Sequence, residues 1–255
     1  MSLFKRLLKG NLNLKKTPKQ KGDQDDGLKY YPEDSLAIDE RFTNNFRKNG
    51  GKFLYCTDAQ EINEAFDNIL VEDLGNTWPE EAAKSVADGK ICSFFHGRME
   101  FGPRALGNRS IVGNPMIEDT RQRINSTIKR RPSYQPFCPS ILEEERERLF
   151  KDSFPHKYMA IAFRMKDEFI KDLPCAVHVD GTARPQFVEE QDNPNYYRYL
   201  KELKNITGYG VSLNTSFNLH GRTIVRTPKD AVVDFIDCKL DELFIEGYSV
   251  KRKVI

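Results

Sequence analysis

Apolar positions along this chain recur sometimes every three to four residues and sometimes every second residue, and the changes of period lay out its elements. Residues 41–46 place Phe42 and Phe46 on one helix face before Asn49-Gly50-Gly51, residues 52–56 read as a short strand, and residues 58–70 carry Ile62, Ala65, Phe66 and Ile69 at helical spacing. From Thr77 the pattern sharpens. Thr77 is an N-cap candidate, Pro79 suits a first helical turn, Glu80 and Glu81 favour its positive end, and Gly89 follows the apolar face of Ala82, Ala83, Val86 and Ala87. A strand is predicted over 91–95, a helix over 119–130 with Ile124 and Ile128 inward, a strand over 137–142 and a charged helix over 143–150. Further strands are predicted over 159–165 and, around an Asp180-Gly181 turn, over 176–188. A helix then runs from Asn193-Pro194 to Gly208, and residues 210–217 form a strand. A helix capped by Thr227-Pro228 carries Ala231, Val232, Phe235 and Ile236 on one face, and a single last strand spans 242–250. Helices and strands interleave throughout, so the expected class is α/β.

The division this suggests is a basic tail and linker over 1–36, a small α/β accessory segment over 37–76, and the main domain over 77–255. The first 21 residues hold seven basic side chains and no acid, with too short an apolar run for a signal-peptide core; a disordered basic tail is expected, with an anionic membrane surface as the alternative. No apolar stretch reaches the roughly 20 residues of a membrane span. The net charge of +2 gives no reason to expect nucleic acid. The five cysteines are dispersed, with no Cys-x-x-Cys, and the four histidines form no His-x-x-x-His. Neither a zinc site nor a disulfide framework is expected, and a reducing cytosol fits this usage.

Candidate chemistry centres on residues 94–111. An apolar run stops at His96-Gly97, and Arg98, Arg104 and Arg109 follow among Gly97, Gly102, Gly107 and Pro103, with Asn108 and Ser110 beside the last arginine. Glycines admit close backbone approach, and Arg forks match phosphate or carboxylate oxygens in pairs, so an anion-binding loop is expected; a solvated surface loop is the alternative. It is not a P-loop, because Asn108-Arg109-Ser110 replaces Gly-Lys-Ser/Thr. Lys129-Arg130-Arg131 ends a helix, either complementing its dipole or held in place by Pro132, Pro136 and Pro139. Arg184 follows a tight turn, exposed or functional. On the strand Ser212-Leu213-Asn214-Thr215-Ser216-Phe217-Asn218, period two puts Ser212, Asn214, Ser216 and Asn218 on one face, which meets a polar ligand groove or plain water. Gly208-Tyr209-Gly210 lacks the third glycine of a dinucleotide fingerprint. Such an inventory of Arg, Lys, Ser and Asn stabilises phosphoryl charge rather than attacking covalently.

These same phrases carry a resemblance. Residues 97–111, then Lys129-Arg130-Arg131 with Pro136-Phe137-Cys138-Pro139-Ser140, then 178–186, and finally 212–218 with Thr227-Pro228-Lys229-Asp230-Ala231, closely resemble the C-terminal domain of O-carbamoyltransferases of the nodulation and antibiotic-biosynthesis type. The resemblance covers roughly residues 79–250. It implies a YrdC-like twisted mixed sheet with flanking helices, preceded here by a short accessory segment. It also implies condensation of carbamoyl phosphate with ATP, assisted by Mg²⁺, to carbamoyl adenylate and pyrophosphate. Carried over by motif, Lys129 and Arg131 hold phosphates. Arg98, Arg104, Arg109 and Arg184 contact carbamoyl phosphate and nucleotide phosphates, with Asn108 and Ser110 beside them, while Ser212 and Asn214 bind nucleotide with Ser216 and Asn218 nearby. Lys129, Arg131 and Arg104 are the catalytic candidates. Gln135 and Arg222 depart from the family phrase, where Arg and Glu are usual.

The family also carries a Kae1-type domain that transfers carbamoyl to a hydroxyl, and residues 1–78 are too short to be one, so a separate acceptor-domain protein is expected. A non-catalytic nucleotide- or RNA-binding module on the same fold is the alternative. Residues 39–56 are similar to the start of lactate-utilisation (LUD-domain) proteins, which suggests an accessory of lactate metabolism.

Overall fold

The computed structural model describes residues 69–132 and 134–252. The tail, the elements predicted between 41 and 68, and the LUD-like phrase lie outside them. Residues 69–73, assigned above to the accessory segment, form an edge strand of the main domain's sheet.

An eight-stranded mixed sheet forms the centre. Its strands, β1 (Ile69–Asp73), β2 (Cys92–Phe95), β3 (Arg109–Gly113), β4 (Cys138–Leu142), β8 (Gln186–Val188), β9 (Val211–Ser216), β10 (Glu242–Ile245) and β11 (Tyr248–Arg252), lie in the order β1-β11-β10-β2-β3-β9-β4-β8. Only β10 with β2 and β4 with β8 run parallel. A small antiparallel sheet of β5 (Phe150–Lys151), β6 (Phe163–Met165) and β7 (Thr182–Ala183) stands apart from it. The helices are α1 (Trp78–Ala87), α2 (Glu118–Arg123) continued by a π-helical turn (Ile124–Ile128), α3 (Arg146–Leu149), α4 (Asp167–Ile170), α5 (Pro194–Thr207) and α6 (Pro228–Asp237).

The apolar faces read from the sequence build the core. Ala82, Ala83 and Val86 of α1 and Tyr196, Tyr199, Leu200 and Leu203 of α5 bury against Cys92, Phe94, Val112, Leu142 and Phe244 of the sheet. Phe94 is the hub, edge-on to Trp78 at 5.3 Å, Tyr199 at 4.9 Å and Phe244 at 6.0 Å. Helix α5 begins and ends as its caps dictate: Asn193 accepts from the Tyr196 N–H, and Gly208 takes a left-handed φ of 84°. Thr227 and Asp230 form a full capping box on α6. Ile124 and Ile128 point inward as expected.

Several expectations are corrected. The 242–250 strand is a hairpin, because Glu246 and Gly247 both adopt positive φ (46° and 87°) and reverse the chain. The 176–188 run keeps its turn, closed by Gly181 N–H to His178 C=O at 2.9 Å, but no strand enters it. Pro185, with no N–H for a ladder, then splits the outgoing strand between the two sheets. In 159–165 only the last three residues pair, and Met159 adopts a left-handed φ of 55°. The helix over 143–150 is a 3-10 turn (Glu143–Glu145) followed by α3, with Phe150 already in β5. Helix α6 buries Asp234 where Ile236 was expected, with Ile236 only half-buried. Thr77 ends a 3-10 turn, and its hydroxyl donates back to the Leu74 C=O instead of capping α1. Ile69 lies in edge strand β1 rather than a helix.

Candidate functional site

The arginine loop joins β2 to β3, and most of its polar groups are spent on its own shape. Arg109 is buried; its guanidinium lies 3.6 Å from the Phe95 ring centroid and donates to the carbonyls of His96 (3.0 Å), Asn108 (2.8 Å) and Gly97 (2.9 Å). Asn108 donates to the Arg98 C=O at 2.8 Å and accepts from Asn193 at 2.7 Å, and the Ser110 hydroxyl accepts from the Gly107 N–H at 2.9 Å. Glu100, unremarked in the sequence, is the organiser. Its Oε1 accepts from the N–H groups of Leu106 (2.7 Å), Asn108 (2.7 Å) and Arg109 (3.3 Å). The Gly97 N–H is taken by Glu246 at 2.8 Å. Carboxylates of the chain itself therefore occupy the backbone donors that a glycine-rich loop offers to an anion. Gly107 serves packing, since a Cβ there would meet the Tyr196 ring at 2.6 Å.

The loop exposes Arg98, Met99, Phe101 and Arg104. Arg104 lines a groove of about 190 Å³ with Pro103, Ala105, Arg131, Phe137, Met159, Arg184, Asn214 and Ser216, among others, and among the described residues no carboxylate belongs to the lining. Three arginines thus line one groove from three segments far apart in sequence. Asn125 steers Arg131. The sequence predicts an unbroken α-helix to residue 130, but residues 124–128 widen to a π turn, a form that recurs at functional sites. There Asn125 accepts from Arg131 Nε at 2.6 Å and donates to the Gln135 C=O at 3.0 Å, and Arg131 stacks 4.5 Å from the Phe137 ring. Burial lowers the Arg131 pKa from its ordinary value. Arg184 follows the His178–Thr182 turn, whose half-buried His178 titrates lower than usual because of desolvation and the Arg184 charge.

Lys129 is buried beside this groove and is not among its lining residues. Its ammonium donates to the Ser216 carbonyl (2.6 Å) and hydroxyl (3.3 Å) and to the Asn218 carbonyl (3.0 Å) and Oδ1 (2.9 Å). Burial pushes it down to about 8, and the Arg131 charge acts in the same direction. Arg222 holds the segment that Lys129 grips: it pairs with Asp234 and Asp237 of α6, and its carbonyl accepts from Asn218 at 2.7 Å.

The polar face of β9 divides along its length. Ser212 is fully buried and shares a 2.8 Å hydrogen bond with the Tyr199 hydroxyl, and Asn214 is 3% exposed, because β9 is an interior strand roofed by α5 at this end. Asn214 and Ser216 reach the groove, whereas Ser212 and Asn218 are not in its lining. Arg98, Asn108, Arg109 and Ser110 also lie outside it. Asn214 Nδ2 donates to the Ala105 C=O (3.0 Å) and Ser140 Oγ (2.9 Å). A carbonyl only accepts, so this contact fixes which way the amide is turned. Asn214 Oδ1 is then left buried without a hydrogen-bond partner. Such an acceptor costs about 1–3 kcal/mol until a donor reaches it. No signal in the sequence marked Glu100, Asn125 or Met159; a carboxylate between two arginines was the only trace of the first.

The fold is an α/β domain of YrdC-like type, and residues 83–252 match the carbamoyltransferase C-terminus family, to which the chain belongs. It is 68% identical over 188 residues to the uncharacterized protein MJ1058 of Methanocaldococcus jannaschii, covering 74% of this chain and 31% of that one. It is 38% identical over 175 residues to the nodulation protein NolO of Bradyrhizobium diazoefficiens (68% and 32%) and 34% identical over 150 residues to the 3'-hydroxymethylcephem-O-carbamoyltransferase of Streptomyces clavuligerus (59% and 28%). The matched region spans about a third of the length of these relatives. Full-length HypF, solved in a phosphate- and nucleotide-bound form, shares the fold at a TM-score of 0.50 and 16% identity, over 73% of this chain and 23% of that one. Among the described residues no helix is long and apolar enough to cross a membrane.

Proposed function

We propose that this domain activates a carbamoyl group, joining it to the α-phosphate of ATP. The net reaction is carbamoyl phosphate plus ATP plus water giving carbamoyl adenylate, pyrophosphate and inorganic phosphate. The P–O bond of carbamoyl phosphate breaks, the carbamate oxygen attacks the α-phosphorus, and pyrophosphate leaves. The observation that carries this reading is the convergence of Arg104, Arg131 and Arg184 on one groove whose described lining holds no carboxylate. Bidentate guanidinium forks neutralise phosphoryl oxygens and the charge that develops between them. At about 190 Å³ the groove is smaller than the roughly 300–1,000 Å³ of sites that enclose a drug-sized ligand. It suits phosphate groups and a carbamoyl, with the nucleoside along its open side.

Among the described residues the groove lining offers Mg²⁺ no carboxylate, and no cluster of three or more His, Cys, Asp or Glu is suited to a metal. The metal would be ligated by the phosphates and water it arrives with. Transfer to the acceptor hydroxyl falls, in this proposal, to a Kae1-type domain.

The test is pyrophosphate release by the whole chain from ATP and Mg²⁺, with and without carbamoyl phosphate. Release that requires carbamoyl phosphate is expected. Tight ATP binding with no release, even with an acceptor-domain protein added, would favour a nucleotide-binding module instead.

A further inference from the structure

Arg104 is exposed on a loop, yet the dipeptide that follows it is fixed from three directions. The Leu106 N–H donates to Glu100 at 2.7 Å, the Leu106 C=O accepts from Gln186 Nε2 at 2.9 Å, and the Ala105 C=O accepts from Asn214 at 3.0 Å. Gln186 is 6% exposed on edge strand β8 and does not line the groove. Its two ends have separate tasks. Nε2 must face the Leu106 carbonyl, which only accepts, and this turns Oε1 toward Ser140 Oγ at 2.7 Å, with Asn214 Nδ2 at 3.4 Å. Ser140 stands opposite Gln186 in the β4–β8 register and in turn accepts from Asn214. One buried amide therefore ties the arginine loop to the same network that sets the orientation of Asn214.

We infer that Gln186 is a positioning residue for the groove: it holds the Leu106 peptide so that Arg104 meets the ligand phosphate, without touching the ligand itself. The inference rests on the anion-binding reading given above. It follows from the bonding. Gln186 is the donor to Leu106 O, and the loop between Gly97 and Ala105 has no strand pairing to hold Arg104 in place. Without that donor a part-buried carbonyl loses its partner, and the loop relieves the loss by moving the segment that carries Arg104. A donor that serves only the stability of β8 would act equally on every ligand-contacting group.

A double-mutant cycle separates the two roles. Binding of ATP and of inorganic pyrophosphate to the full chain is measured by calorimetry at one fixed salt concentration. The proteins are wild type, Gln186→Met, Arg104→Ala, Arg131→Ala and the two double variants, each checked for folding by thermal melt. Met keeps the length of Gln and removes its donor. Gln186→Glu, which keeps the shape but puts an acceptor opposite the carbonyl, is the second variant should Met fold poorly. Gln186→Met is expected to weaken binding about ten-fold alone and with Arg131→Ala, but by less than about two-fold with Arg104→Ala. The same loss in the Arg104→Ala background, or no loss in any background, would overturn the inference. Wild-type protein that binds neither ATP nor pyrophosphate would overturn the anion-binding reading itself, and this inference with it. Wild-type binding with a failed cycle would overturn the positioning role alone.

Discussion

Lys129 donates at 2.9 Å to the side-chain oxygen of Asn218, eighty-nine residues away, and in doing so ties the end of the π-helical turn to the exit of β9. The groove wall at Ser216 depends on this tie, since the same ammonium also binds the Ser216 carbonyl. Lys129→Met should leave the fold cooperative but lower ATP affinity at least ten-fold at neutral pH, measured by calorimetry.

The protonation of Lys129 adds a second expectation. Its folded value of about 8 lies below the ordinary 10.5, so the unfolded chain binds the proton more tightly. Between those two values the unfolded state carries more protons, and the stability contributed at this position rises as pH increases. The full span corresponds to about 3 kcal/mol at most. Urea midpoints of wild type against Lys129→Met from pH 7.5 to about 10.5 test it. Wild type should gain relative to the variant, while its ATP affinity falls as pH passes about 8.

Arg222 stands where the family phrase usually has Glu, and the structure gives it a partner on each side of one helical turn, Asp234 and Asp237. Asp234 is 4% exposed, so its carboxylate depends on that guanidinium and on the Leu219 N–H at 2.9 Å. Because Arg222 itself is partly exposed, Arg222→Ala should cost about 1–2 kcal/mol, less than a fully buried pair. Hydrogen exchange should rise at residues 218–222. A glutamate here would repel both aspartates, so Arg222→Glu should be worse than Ala in the same denaturation assay.

Glu100→Ala should free the N–H groups of Leu106, Asn108 and Arg109, which will exchange faster with solvent by at least ten-fold if the loop opens. Glu100→Gln retains one acceptor and should fall between the two. Equal protection in all three proteins would show that the loop is held without it.

Gly107→Ala should destabilise by several kcal/mol on thermal melting, because φ is 118° and the added Cβ would sit 2.6 Å from the Tyr196 ring. Gly102→Ala meets nothing within 4 Å and should cost only the backbone strain of its own φ of 129°, about 1–3 kcal/mol.

The sequence by itself determined the elements whose signals are local. Asn193-Pro194 with Gly208 bounded α5, and Thr227-Pro228 opened α6, because a cap is chemistry between near neighbours. It also marked Arg104, Arg131, Arg184, Asn214 and Ser216, the phrases that the family match and the groove both contain. Tertiary structure decided how those residues are used. Period two set Ser212 beside Asn214 and Ser216, but only the placement of β9 between β3 and β4, with α5 above one end, buries Ser212 and leaves Ser216 at the groove. Arg109 reads like Arg104 in the sequence; it is spent on three carbonyls and an aromatic ring because it starts β3 and points inward. The roles of Glu100, Asn125 and Gln186 lie in bonds to carbonyls, N–H groups and side chains that become neighbours when the chain folds. A buried polar group is satisfied by whatever the fold brings within about 3 Å, which residue order alone does not specify.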